Sequence, residues 1–175
     1  MAACIKGGMA GEEWGKSKKE RNYAMQPTQK EMSLLKDMKG QEKLCIDKYD
    51  KYAKEAVAPE LQALFTALAD VERQHLTTIG DMMAGKVSTP SGSSSSTGNS
   101  GAIKANYANE ADRAKDTFLC SDMLSTEKHV SALYNTGVFE FADVQARNML
   151  NHIPTEEQEH GQKIYEYMNA NGMYQ

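Results

Sequence analysis

The sequence predicts an all-α protein, a bundle of four amphipathic helices built as two helix pairs. Three observations carry this. Apolar residues recur at helical spacing in four long segments. No segment shows the alternation of a half-buried strand. A Ser/Gly-rich stretch divides the four segments into two pairs, each with a short internal joint.

Residues 1–28 hold Gly7, Gly8, Gly11, Gly15 and Pro27 and are expected to form a flexible arm, with Trp14 as its one bulky anchor. The bundle is expected over 29–175. Thr28 followed by Glu31 is a capping-box signal that opens a first helix over about 29–56. Its apolar stripe is Leu35, Met38, Cys45, Tyr49, Ala53 and Ala56. Pro59 suits the first turn of a second helix, whose stripe runs Leu61, Leu64, Phe65, Leu68, Ile79, Met83 and stops before Gly85. Residues 86–106 form the linker, with the run KVSTPSGSSSSTGNSG too small and polar to pack a core.

The third helix is expected over about 109–140, on Cys120, Met123, Leu124, Val130, Tyr134 and Val138. The fourth covers about 144–170, on Met149, Leu150, Ile153, Ile164 and Met168. Pro154 inside it is expected to kink the helix or open a bulge. Helices of this length span roughly 40 Å, which an extended linker of about 20 residues can cross. The linker therefore permits a long crossover between a parallel second and third helix.

Composition narrows the function. The chain has 175 residues, a formal net charge of -4 and no long basic run, which argues against nucleic acid as a partner. No apolar run reaches the roughly 20 residues that span a bilayer, and glycines and charges stand where a signal peptide needs its apolar region. A soluble protein with no membrane association, not exported by the standard route, is expected. Cys4, Cys45 and Cys120 make no C-x-x-C pair, so a thiolate site or disulfide framework is not expected. Cys45 and Cys120 fall on apolar faces as small hydrophobes.

The two halves align without a gap at an offset of 85 residues, an internal two-fold repeat of the helix pair. Glu42 pairs with Glu127, Tyr49 with Tyr134, Glu72 with Glu157 and His75 with His160. These polar matches fall on the apolar stripes. Glu72–His75 and Glu157–His160 are both E-x-x-H, and residues three apart share a helix face. Each motif can direct a carboxylate and an imidazole to one ion, and Glu42 and Glu127 add one carboxylate from each remaining helix. This is the di-iron or di-manganese arrangement of helical bundles. Four buried carboxylates without partners would be very costly, whereas two divalent cations balance them with both histidines neutral. The competing account is protonated or Lys-paired carboxylates in a bundle without metal. Tyr49 and Tyr134 lie about two turns beyond Glu42 and Glu127. Each is placed either to hydrogen-bond a ligand carboxylate or to sit in the core with its hydroxyl satisfied locally. His129 and His152 fall off the ligand positions and are expected at the surface.

At these residues the chain resembles the ferritin-like superfamily over about 29–170. The ligand set is similar to that of bacterioferritins and related di-iron proteins, and resembles manganese catalases in its two-metal Glu/His chemistry. The second half resembles the spore coat protein F (Coat F) family in Thr126-Glu127-Lys128, in Tyr134-Asn135-Thr136, and in the ending Tyr167-Met168…Gly172-Met173-Tyr174. The resemblance implies a ferritin-like fold and a place in the spore coat, with other coat proteins or further copies of the chain as partners; without it, the cytoplasm would be the expected location. The chain departs from rubrerythrins in lacking a four-cysteine electron-donor module, and from storage ferritins in lacking a fifth helix. Two functions follow as expectations. One is an oxidoreductase using two Fe or Mn ions on peroxide or oxygen, catalase-like or peroxidase-like. The other is a structural coat component whose metal site is only structural or vestigial.

Overall fold

The computed structural model describes residues 24–89 and 103–174. These hold four helices, α1 (Gln29–Glu55), α2 (Pro59–Met83), α3 (Glu110–Val138) and α4 (Val144–Ala170). Among the described residues the sole β pairing is an isolated bridge between Ala24 and Lys86. Most of the expected arm, with Trp14, and the middle of the linker lie outside the described residues.

Each helix start has a local cause. Thr28 and Glu31 form the capping box of α1, the Thr28 hydroxyl accepting from the Glu31 N–H at 3.2 Å and the Glu31 carboxylate from the Thr28 N–H at 2.7 Å. Asn109 caps α3 through the Asp112 N–H, and Asp143 caps α4 through the Ala146 N–H. Ala58, the N-cap of α2, has no capping side chain of its own. Asp116 of α3 supplies one from a distance, accepting from the Val57 N–H at 2.8 Å and the Ala58 N–H at 2.9 Å. Helix α4 runs unbroken through Pro154, which is buried beside Ile153, so no bulge opens there.

Contacts at the two ends set the helix directions. Asp116, near the start of α3, holds the α1–α2 joint. At the other end Lys30 pairs with Glu140, and Glu31 accepts from the Ala142 N–H at 3.0 Å. Helix α1 is therefore antiparallel to α3, and α2 runs in the same direction as α3. The chain between α2 and α3 must then join opposite ends of the bundle.

The ends of the expected arm and linker are tied to the body. Met25 is buried, and its N–H donates to the Gly85 carbonyl at 2.8 Å. Gly85 has φ +79°, and a Cβ there would stand 2.5 Å from the Met25 carbonyl oxygen, so this turn takes only glycine. Ala105 is buried, and its N–H donates to the Asn171 side chain at 2.8 Å. Met25 and Ala105 are thus both bonded to the helical body.

Two apolar clusters fill the interior. One joins Leu61, Phe65, Leu68 and Tyr49 to Leu119, Cys120, Met123 and Ile164. The other joins Leu35, Met38, Cys45 and Ile79 to Val130, Tyr134, Leu150 and Ile153. Cys45 and Cys120 are buried free thiols. Where the clusters meet, the interior turns polar.

Candidate metal centre

Six ionisable side chains occupy that junction. Glu42 comes from α1, Glu72 and His75 from α2, Glu127 from α3, and Glu157 and His160 from α4; all are between 0% and 3% exposed. Helical spacing explains the convergence, because each of them continues the buried stripe of its helix.

The six form two overlapping groups. Glu42, Glu72, His75 and Glu157 each offer a ligand atom, and these atoms lie within 4.8 Å of one another. The same holds for Glu72, Glu127, Glu157 and His160. Glu72 and Glu157 belong to both groups. The two imidazole rings are stacked with centroids 5.8 Å apart. Both rings turn Nδ1 inward. His75 Nδ1 lies 3.3 Å from Glu72 Oε2 and 3.1 Å from Glu157 Oε1, and His160 Nδ1 lies 2.9 Å from Glu72 Oε1 and 3.5 Å from Glu157 Oε2.

Residues beyond the six hold them in place. The Tyr49 hydroxyl donates to Glu127 Oε1, and the Tyr134 hydroxyl donates to Glu42 Oε1. Both tyrosines are fully buried. Each reaches across from its own helix to a carboxylate of the other pair, so of the two placements open to them the carboxylate bond is the one adopted. His75 Nε2 lies 3.0 Å from Glu156 Oε2 on α4. His152 is partly exposed, with Nε2 3.5 Å from the same Glu156 oxygen, and His129 is exposed. Glu156 is the participant that sequence reasoning does not find. Its counterpart at the 85-residue offset is Val71, so no repeat points to it.

Burial dominates the electrostatics. Burial and then the charges of Glu72 and Glu157 push Glu42 up to about 10, and burial raises Glu127 to about 8. Burial also raises Glu72 and Glu157, but His160 and His75 outweigh it and hold both below the usual carboxylate range. For the imidazoles burial opposes the charge. The facing carboxylates win, with Glu156 foremost for His75 and Glu127 foremost for His160, and both histidines rise well above the ordinary value. In the metal-free cluster, burial therefore favours a proton on Glu42 and Glu127, while the imidazole–carboxylate contacts favour the charged forms of His75, His160, Glu72 and Glu157.

Hydrogen bonding does not saturate the cluster. Glu42 Oε2, Glu127 Oε2 and both oxygens of Glu157 are buried without a well-aligned hydrogen bond among the described residues, although His75 Nδ1 stands 3.1 Å from Glu157 Oε1. Buried carboxylate oxygens are rarely left so. Carboxylate oxygens with an imidazole in each group are a donor set that fits a divalent metal ion.

No curated protein and no solved structure gives a significant match to the chain. No described helix is long and apolar enough to cross a membrane. Residues 115–175, about a third of the chain, match the model of the Coat F domain. That stretch spans most of α3 and all of α4 and includes Glu127, Glu157 and His160; the match supports a Coat F relationship, which implies a place in the spore coat.

Proposed function

We propose that this chain is a spore coat protein with a ferritin-like bundle, and that its six buried ligands hold two iron or manganese ions that act on peroxide or dioxygen. The observation that carries the reading is the pair of overlapping ligand groups sharing Glu72 and Glu157. In this reading Glu42, Glu72, His75 and Glu157 would hold one ion, and Glu72, Glu127, Glu157 and His160 would hold the other. The four oxygens without a well-aligned hydrogen bond support it, because each is an electron-pair donor already stripped of water. Both Nδ1 atoms face the carboxylates, which leaves His75 Nε2–H to donate to Glu156 and fix the ring. Tyr49 and Tyr134 orient the two outer carboxylates from the opposite helix pair. A redox-active pair of ions there would supply the electrons for a catalase-like or peroxidase-like activity.

Elemental analysis of the purified chain tests this, beside a Glu72→Ala/Glu157→Ala variant. About two iron or manganese ions per chain are expected, lost in the variant. No metal after anaerobic reconstitution would end the reading. The Coat F match favours a second reading, a structural coat component bound to other coat proteins or to its own copies. In that case Glu72→Ala lowers bundle stability without a specific loss of peroxide resistance in the spore. Metallated protein that neither consumes peroxide nor oxidises Fe(II) would decide for it.

A further inference from the structure

A cavity of about 480 Å³ opens between α3 and α4. Its wall includes Leu124, Ser131, Gly161 and Tyr165, and it extends to Glu127 and Glu157 of the buried cluster. These two carboxylates hold three of the four oxygens that lack a well-aligned hydrogen bond.

The opposite face carries different residues at the corresponding places. At the 85-residue offset Ser131 corresponds to Ile46 and Gly161 to Leu76, both partly buried on α1 and α2. Where one helix pair carries a hydroxymethyl group and a hydrogen, the other carries two branched aliphatic side chains. The difference is not forced by helix packing at Gly161. A Cβ added there would stand 3.5 Å from Leu124 Cδ1, an ordinary contact, so the backbone accepts a side chain. A larger side chain at Gly161, which is part of the cavity wall, would take up cavity space.

We propose that the α3–α4 cavity is the route by which a small neutral molecule, of the size of hydrogen peroxide or dioxygen, reaches the cluster, and that Gly161 and Ser131 keep it open. The inference rests on the metal-centre reading above. A route on one face gives the incoming molecule access from the side of Glu127 and Glu157, while the corresponding places of the other helix pair carry the partly buried Ile46 and Leu76. Apart from Lys128 and the two cluster carboxylates the walls are uncharged, which suits a neutral molecule better than an ion, which would lose its hydration on entry.

Nitric oxide is a suitable probe, because its binding to ferrous protein is read from the absorption spectrum without any turnover. The full chain is loaded with Fe(II) to equilibrium, its iron content is measured, and nitric oxide association is followed by stopped flow. Gly161→Leu and Ser131→Ile, each placing the residue of the opposite face, are expected to slow association by roughly tenfold or more, since a close-packed interior passes small molecules only through transient openings. Leu76→Phe, outside the cavity wall, is expected to leave the rate unchanged. Circular dichroism confirms that each variant is folded, and Ser131→Ile carries the test if Gly161→Leu is not. Unchanged rates in both cavity variants at equal iron content would overturn the route and leave the metal reading standing. An unsubstituted chain that takes up neither iron nor manganese would overturn both.

Discussion

The Tyr49 hydroxyl on α1 donates to Glu127 on α3, and the two are 78 residues apart in sequence. The reciprocal bond runs from Tyr134 on α3 to Glu42 on α1. Each helix pair therefore steers the outermost carboxylate of the other. Tyr49→Phe removes one donor and leaves Glu127 Oε1 buried beside the already unpaired Oε2. The expected cost to the metal-free protein is about 1–3 kcal/mol, read as a lower urea midpoint. Loss of a hydrogen bond that orients a ligand typically weakens metal binding by about 10–100-fold. A competition titration against a chelator checks this, and an unchanged affinity would reduce Tyr49 to a core residue.

Glu156 does for His75 what no residue was expected to do. Its Oε2 takes the Nε2 side of the ring at 3.0 Å, which turns Nδ1 toward Glu72 and Glu157. Glu156→Ala should weaken metal binding by about 10–100-fold, the usual effect of losing such a support. Glu156→Gln retains an acceptor and should recover part of it. If alanine and glutamine behave alike, the carboxylate is acting through its charge and not by holding the ring.

The contrast between these residues shows what was legible. The four helix spans follow from apolar periodicity and from local capping, as at Thr28 and Glu31, whose partners stand three residues apart. The six cluster residues follow from E-x-x-H spacing and its recurrence 85 residues on. Glu156 and Asp116 carry no such local mark. Glu156 looks like one more acid beside Glu157, and its role exists only because α2 and α4 bring His75 to it. Asp116 stands at the head of the buried stripe of α3 and serves the start of α2, 58 residues back. The partner of Tyr49 was equally hidden, since reaching Glu127 depends on α1 packing antiparallel to α3. Recurring spacing shows which side chains face inward; side chains that bridge elements show themselves only after the elements pack.

Asp116 is therefore a test of stability that should spare the centre. It is fully buried and accepts from the Val57 and Ala58 N–H groups and from the Tyr107 hydroxyl at 2.9 Å. Asp116→Ala leaves two backbone donors unpaired, at the start of a helix that has no other side-chain cap, and removes one of the two partners of the Tyr107 hydroxyl, which keeps Tyr167. The cost expected is about 2–4 kcal/mol, from a lost cap and unpaired buried groups. Asp116 lies 11 residues before Glu127 on the same helix, roughly 16 Å along its axis. Thermal denaturation should show the loss, and metal content per folded chain should not change.

Protonation of the cluster gives the metal-free and metal-loaded proteins opposite responses to pH. In the folded metal-free chain Glu42 and Glu127 are raised to about 10 and about 8, and His75 and His160 are raised above the ordinary histidine value. A group whose folded value is raised binds more protons folded than unfolded, so stability falls as pH rises. The fall begins near the unfolded carboxylate value of about 4.5 for the two glutamates and near 6.5 for the histidines, and continues through the folded values. Glu72 and Glu157 act in the other sense, but their folded values lie below the ordinary one, so their contribution is already complete above neutral pH. Between pH 6 and 9 the metal-free protein should therefore lose stability. On the metal-centre reading, divalent ions displace protons held by Glu42, Glu127, His75 and His160, so uptake should release protons and tighten as pH rises. Denaturant melts of both forms across that range, with proton release measured in weakly buffered solution, check the two signs together. Parallel pH trends, or uptake without proton release, would mean that the metal does not enter this cluster.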